Sequence, residues 1–111
     1  DSAARGNPDV EIFDFNARLN TIHEVADVTN KPIIVDGDTG RDFTYFEYMV
    51  KRLERAGVSS IIIEDKIFPK RNSLDGSAKQ DLEDPKTFAN KIMRGKKAAL
   101  SDCFMIIAMT D

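Results

Sequence analysis

The chain has 111 residues, enough for one modest domain, and its 41% hydrophobic and 32% charged residues are typical of a soluble globular protein. A net charge of −3 and a pI near 5.2, with no basic stripe among aromatic residues, exclude a nucleic-acid surface. No apolar run approaches the ~20 residues of a membrane span, and no signal peptide opens the chain. We therefore expect a cytoplasmic, enzyme-like domain.

Cys103 is the single cysteine, so the sequence contains no disulfide framework. A lone cysteine at the start of an apolar run is typical of a buried packing residue, and we expect Cys103 to be one.

The hydrophobic pattern predicts helices that alternate with strands. After a loop at residues 1–12, Asp14 can cap a helix of about 15 residues that ends before Pro32. The later predicted elements are a strand through Val35, a helix at 42–56, a strand at 59–64, a helix from Pro85 to about Leu100, and a strand at 104–108. This order indicates right-handed βα units on a parallel sheet.

Two of the predicted strands lead directly into acidic residues. The apolar run Pro32–Val35 precedes a D-G-D-T-G segment at 36–40, and Ile61–Ile63 precedes Glu64. Apolar runs of this length are typical of strands buried on both faces of a parallel sheet. Because α/β proteins keep their chemistry at the carboxyl ends of such strands, we expect these carboxylates to share one edge.

Carboxylates that share one edge of a sheet repel one another. At ~5 Å and an effective dielectric constant of ~20, the repulsion is roughly 3 kcal/mol per pair, unless a proton or a cation intervenes. No His or Cys lies nearby, so the oxygen ligands favour Mg²⁺ over Zn²⁺. Since Mg²⁺ takes only one or two carboxylates directly, some of Asp36, Asp38 and Glu64 would act through water. The alternative is a polar turn with solvated acids.

The segment at 65–84 is long for a connection between a strand and a helix, which is typical of a lid over a site. Its donors could cover a phosphoryl group and exclude water. They are Lys66, Lys70, Arg71, Asn72 and Ser73. Taken alone, the segment would favour a solvated basic loop over a lid.

The motif E-D-K-x5-N-S at 64–73 resembles the signature of phosphoenolpyruvate mutases, in the isocitrate lyase/phosphoenolpyruvate mutase superfamily. The resemblance extends over residues 1–111 and implies a segment of a parallel (β/α)₈ TIM-type barrel with about three strands and three helices. It also implies a Mg²⁺-dependent interconversion of phosphoenolpyruvate and phosphonopyruvate, both small-molecule substrates. The parent enzyme would be a homo-oligomer, without a nucleic-acid or membrane partner.

The resemblance further implies roles for individual residues. In the mutases the first Asp of D-x-D-T-G binds Mg²⁺ directly, while the second Asp and the Glu of E-D-K hold its water ligands. The corresponding metal residues in this sequence are Asp36, Asp38 and Glu64.

The remaining implied residues are catalytic. The Lys and Asn of the mutase lid act when the lid closes, which corresponds to Lys70 and Asn72, and Ser73 completes the signature. Counted back from D-x-D-T-G without gaps, Asp9 falls on an Asp that lies over the substrate in the mutases. The alternative for Asp9 is an exposed loop residue.

The same segment separates reactions within the superfamily. Carbon–carbon lyases of the superfamily have a K-[KR]-C-G-H segment at this place, and its Cys acts as an acid/base. Residues 70–74 of this sequence are K-R-N-S-L instead. The absence of that thiol disfavours a lyase. Phosphonopyruvate hydrolases tend to have Thr at the position of Asn72, so Asn72 favours rearrangement over hydrolysis, which stays open as an alternative.

Two departures from the family pattern favour a catalytically incomplete, non-enzymatic fragment as a further alternative. Family members follow the last predicted strand with an Arg that helps bind the anionic end of the substrate, and Met109 occupies that position here. We also expect the preceding strand and about five further βα units of the barrel to be absent from this chain.

Overall fold

The computed structural model describes residues 15–67 and 82–110, in which helices and strands alternate. The elements are α1 (Phe15–Val28), β1 (Ile34–Asp36), α2 (Phe43–Arg55), β2 (Ser60–Glu64), α3 (Pro85–Ala98) and β3 (Met105–Met109). The predicted alternation is confirmed, with boundaries that differ by one or two residues. The proposed cap Asp14 lies outside the described residues. No helix within them is long and apolar enough to cross a membrane.

The three strands in the described part of the chain form one parallel sheet in the order β1-β2-β3. Ile34 of β1 pairs with Ser60 of β2, and Ser60 in turn pairs with Met105 of β3. Consecutive strands are therefore neighbours, and all their carboxyl ends lie at the same edge of the sheet. Two complete βα connections, through α2 and α3, produce this arrangement.

Local signals in the sequence explain where α2 and α3 begin and end. The Asp42 side chain accepts a hydrogen bond from the Tyr45 N–H at 2.7 Å, and Asp84 accepts from the N–H groups of Lys86 and Thr87, both at 3.1 Å. These aspartates satisfy donors that the first turn of a helix leaves free. Gly57, with φ of +90°, follows the end of α2 in the left-handed conformation that glycine adopts most easily.

One face of the sheet packs against the helices. Val35, Ile61 and Ile63 project from this face and are buried together with Phe46 and Leu53 of α2. Gly95 of α3 also lies against Phe46 and Ile106, so the absence of a side chain at residue 95 lets α3 approach α2 and β3 closely.

The opposite face of the sheet is open at both outer strands. Ile34, Met105 and Met109 are 57%, 58% and 50% exposed. The prediction that the strands are buried on both faces is therefore wrong for the outer strands β1 and β3, because the described helices cover one face only, whereas β2 between them is buried or half-buried along its whole length. Cys103 is exposed rather than buried, since it lies in the turn before β3, where its N–H donates to Ser101 Oγ at 3.0 Å.

The packing at Gly95 predicts a stability change opposite to that expected from helix propensity. In Gly95→Ala the added carbon would overlap Cε2 of Phe46, lie 2.8 Å from Cδ2 and lie 3.1 Å from Ile106 Cδ1. Helix propensity alone would stabilise by about 1 kcal/mol. Overpacking costs about 1–3 kcal/mol, and Phe46 is fully buried, so we expect the free energy of unfolding in urea to fall by about 1–2 kcal/mol.

Asn90→Ala is the matched control for Gly95→Ala, because Asn90 is exposed on the same helix. Its free energy of unfolding should stay within about 0.5 kcal/mol of the wild type. A Gly95→Ala protein at least as stable as the wild type would contradict the packing argument.

Candidate active site

The loop after β1 holds Asp36 and Asp38 in a tight turn. The N–H of Asp38 donates to Asp36 Oδ1 at 3.0 Å, and the N–H of Gly40 donates to the carbonyl of Gly37 at 3.0 Å. Asp38 has φ of +55° and Gly40 has φ of +74°, both left-handed. Aspartate tolerates this conformation better than most residues, because its short side chain can bond to the local backbone.

This loop, at residues 36–40, lies directly against β2. The N–H of Gly37 donates to the carbonyl of Ile62 at 2.7 Å, and the N–H of Glu64 donates to the carbonyl of Asp38 at 2.8 Å. A Cβ on Gly37 would stand 2.5 Å from Ile61 Cδ1, so glycine is required for the close approach. The backbone of Asp38 and the end of β2 are thus joined by a hydrogen bond.

The register of the sheet determines which side chains share its open face. Asp36 pairs with Ile62, and Glu64 pairs with Met109. Paired residues project to the same face, and residues two apart along one strand do so as well. Asp36, Glu64 and Met109 therefore belong to the face opposite the helices, with Glu64 and Met109 about 7 Å further along the strands than Asp36.

Basic side chains lie near two of the three carboxylates. Arg18 Nη1 of α1 is 3.7 Å from Asp38 Oδ2, and Lys66 Nζ is 3.5 Å from Glu64 Oε2. Within residues 15–67 and 82–110, no group of three or more His, Cys, Asp or Glu side chains is close enough to hold a metal ion together. The structure therefore brings the backbones of the acidic segments together without bringing all three carboxylates to one point.

The donor set at this edge is chemically suited to Mg²⁺. It consists of carboxylate oxygens, which this hard cation prefers, and Mg²⁺ usually keeps several water ligands and takes only one or two carboxylates. A separated group of carboxylates, in which some act through water, fits that preference. Asp9, Lys70, Asn72 and Ser73 lie outside the described residues.

Sequence reasoning missed a buried lysine beside this edge. Lys91 of α3 is 1% exposed, and its Nζ donates to the carbonyl of Thr39 at 3.0 Å and lies 2.9 Å from Glu83 Oε1. A signal for it exists, because Lys91 shares the apolar face of its helix with Phe88 and Gly95, three residues before and four after it. Arg18 was also missed, and its sequence context carries no comparable signal.

An α/β fold with parallel βα units and carboxylates at the carboxyl edge of the sheet is the arrangement that barrel-type enzymes have. A family model described as phosphoenolpyruvate phosphomutase matches residues 1–111, and the chain belongs to that family. The wider group is the phosphoenolpyruvate mutase/isocitrate lyase superfamily, which includes mutases, hydrolases and lyases. The resemblance given by the E-D-K-x5-N-S motif is thereby confirmed at the level of the family.

Relatives with different reactions match the chain about equally well. It is 34% identical to a phosphoenolpyruvate phosphomutase of Tetrahymena pyriformis over 99% of its length, which is 37% of that relative. A 2-methylisocitrate lyase of Aeropyrum pernix is 33% identical over 94% of the chain and 33% of the relative. The chain thus spans about a third of the length of these curated relatives.

Solved structures confirm the predicted barrel segment of three parallel strands and three helices. The crystal structure of a phosphoenolpyruvate phosphomutase from Streptomyces platensis subsp. rosaceus matches with a TM-score of 0.90 and 34% identity, over 98% of this chain and 38% of that one. A phosphonopyruvate hydrolase in complex with oxalate and Mg²⁺ matches with a TM-score of 0.85 and 32% identity, over 98% and 36%. A superfamily relative therefore contains Mg²⁺.

The left-handed turn at Asp38 gives a prediction about stability. Asp38→Ala and Asp38→Gly both remove the carboxylate that faces Arg18, but only alanine retains a Cβ at φ of +55°. We expect Asp38→Gly to be more stable than Asp38→Ala by up to about 1 kcal/mol, because the left-handed conformation costs alanine about 1–2 kcal/mol. Urea denaturation of the two variants measures this difference, and equal stabilities would contradict the strained turn.

Proposed function

We propose that the protein catalyses the Mg²⁺-dependent interconversion of phosphoenolpyruvate and phosphonopyruvate. The observation that carries this proposal is the family match over residues 1–111, in a chain whose D-G-D-T-G loop is joined to the end of β2 by the Glu64–Asp38 hydrogen bond. In the reaction the phosphoryl group leaves the enol oxygen and bonds to C3, so a P–O bond breaks as a C–P bond forms. No atoms are gained or lost.

The acidic edge would supply the metal site. We assign direct binding of Mg²⁺ to Asp36, and we assign the holding of its water ligands to Asp38 and Glu64. When bound, Mg²⁺ supplies positive charge that stabilises an enolate. The hydrogen bonds of the turn keep Asp36 and Asp38 oriented without a bound substrate, which is the preorganisation that electrostatic catalysis needs.

The segment between β2 and α3 would supply the groups that surround the phosphoryl group. We assign Lys70 and Asn72 to hold phosphoryl oxygens, with Ser73 beside them, and Asp9 to lie over the substrate. Such donors position the transferring group and exclude water from it. Water exclusion separates the two reactions, because attack of water on phosphorus gives pyruvate and inorganic phosphate instead of phosphoenolpyruvate.

Hydrolysis of phosphonopyruvate is the second candidate function, because the hydrolase structure matches the chain almost as well as the mutase structure does. Phosphonopyruvate hydrolases tend to have Thr at the position of Asn72, so Asn72 favours the mutase. Met109 favours a catalytically incomplete protein as the third alternative, since it offers no charge to the substrate.

Phosphorus NMR of the purified protein with phosphonopyruvate and Mg²⁺ tests the proposal. We expect the signal of phosphoenolpyruvate to appear, and we expect Asp36→Ala to lower the Mg²⁺ affinity at least ~10-fold and to abolish turnover. Inorganic phosphate with pyruvate would indicate the hydrolase. If Asp36→Ala bound Mg²⁺ as tightly as the wild type, the metal site would be wrongly assigned.

Restoration of the family arginine gives a further prediction. Met109 pairs with Glu64 at the carboxyl end of β3 and is half exposed, so Met109→Arg would place a guanidinium at the proposed site. A charge-assisted hydrogen bond contributes about 1.5–3 kcal/mol, so we expect kcat/KM for phosphonopyruvate to rise at least ~10-fold.

Met105→Arg is the matched control for Met109→Arg. Met105 lies on the same face of the same strand and is similarly exposed, but it stands at the amino end of β3, away from the proposed site. Its kcat/KM should not change. Equal effects of the two substitutions would show that the added charge acts at long range rather than by direct contact with the substrate.

A further inference from the structure

Lys91 is a buried cation that the proposed reaction does not use. Lysine is almost never fully buried unless it is paired, and Lys91 has two partners, the carbonyl of Thr39 and the carboxylate of Glu83. Thr39 is 52 residues from Lys91 along the chain, whereas Glu83 lies just before the start of α3. Thr39 belongs to the loop after β1, and Glu83 follows the connection that leaves β2.

Each of the two partners of Lys91 is connected to one of the two acidic strand ends. Thr39 directly follows Asp38 in the loop at 36–40 and is itself fully buried. On the other side, the N–H of Glu83 donates to the carbonyl of Asp65 at 2.6 Å, immediately after Glu64. The antiparallel bridge between Lys66 and Leu82 holds the same two segments together. Lys91 thus spans from the β1 loop to the end of β2.

We propose that Lys91 is a positioning residue that holds the two acidic strand ends at the separation required for one Mg²⁺ ion. The inference rests on the proposed function, because it assigns Lys91 to the same metal site. Lys91 touches neither the ion nor the substrate. It acts through the carbonyl of Thr39 and through Glu83, and so determines how the loop that carries Asp36 lies relative to Glu64.

A positioning role and a purely electrostatic role predict opposite signs. An ammonium group near carboxylates repels a second cation, so its removal should tighten Mg²⁺ binding if the geometry is unchanged. If Lys91 positions the strand ends, its removal should weaken binding. Loss of residues that orient metal ligands typically costs 10–100-fold in affinity.

The experiment compares Mg²⁺ affinities of the purified protein by isothermal titration calorimetry. The variants are Lys91→Met, which keeps the length of the side chain, and the double variant Glu83→Gln/Lys91→Met. The double variant removes the ion pair without changing the net charge, and it leaves no carboxylate unpaired. We therefore expect it to remain folded even if Lys91→Met alone destabilises the protein. Lys97→Met, at an exposed site of the same helix, is the matched control.

We expect the Mg²⁺ dissociation constant to rise about 10-fold in Lys91→Met and in the double variant, and to stay unchanged in Lys97→Met. Urea denaturation should show that the double variant is more stable than Lys91→Met, although its Mg²⁺ affinity is no better. Saturating Mg²⁺ should restore most of kcat in the double variant, which a general loss of structure would not allow. Glu83→Gln alone should weaken binding less, because Lys91 keeps its bond to Thr39.

Unchanged or tighter Mg²⁺ binding in the folded double variant would overturn the positioning role and leave the proposed function intact. Tighter Mg²⁺ binding in Glu83→Gln than in the wild type would likewise overturn the positioning role and leave the proposed function intact. If Asp36→Ala also bound Mg²⁺ normally, the metal site itself would be wrongly assigned, and the role of Lys91 would be overturned with it. The Asp36→Ala titration thus distinguishes the two failures.

Discussion

The hydrogen bond from the Glu64 N–H to the Asp38 carbonyl is the interaction on which the arrangement of the acidic edge depends. It continues the contact between β1 and β2 beyond the last paired residues of the strands, into a loop that would otherwise be free to diverge. The left-handed Asp38 and the absent side chain of Gly37 make this continuation sterically possible. Two acidic segments, separate in sequence, are thereby adjacent in space before any ligand binds.

Much of this arrangement follows from the sequence, because the features that specify it are local. Apolar runs, helix-capping aspartates and Gly57 determine the order and ends of the elements, and parallel strands place Asp36 and Glu64 at the same edge. What could not be predicted depends on contacts between distant residues. The Thr39 carbonyl that Lys91 binds belongs to a distant loop, and the exposure of Cys103 and of the outer strands depends on which elements cover them. Hydrophobic character alone therefore gave wrong predictions of burial for Cys103 and for the outer strands.

Charge compensation at the edge has a consequence for how the carboxylates can work. Arg18 lies near Asp38 and Lys66 near Glu64, while Asp36 accepts a backbone N–H. Contacts of this kind partly compensate the negative charge of the carboxylates without a metal, at the cost of some attraction for a cation. Asp38 and Glu64, which have basic neighbours among the described residues, are also the residues to which we assign water-mediated roles. The electrostatics and the proposed division of labour thus agree.

The scaffold does not determine which reaction takes place on it. Mutase, hydrolase and lyase relatives match this chain at similar identity, so the fold is a feature that different reactions share. We expect the decision to lie in side chains that differ between these enzymes, for which the segment 70–74 and Met109 are our candidates. A half-exposed, apolar Met109 level with Glu64 leaves the charge of an anionic substrate to be balanced by other groups. Since such a charge is costly to leave unpaired, we expect the side chain at position 109 to influence which substrate the proposed site accepts.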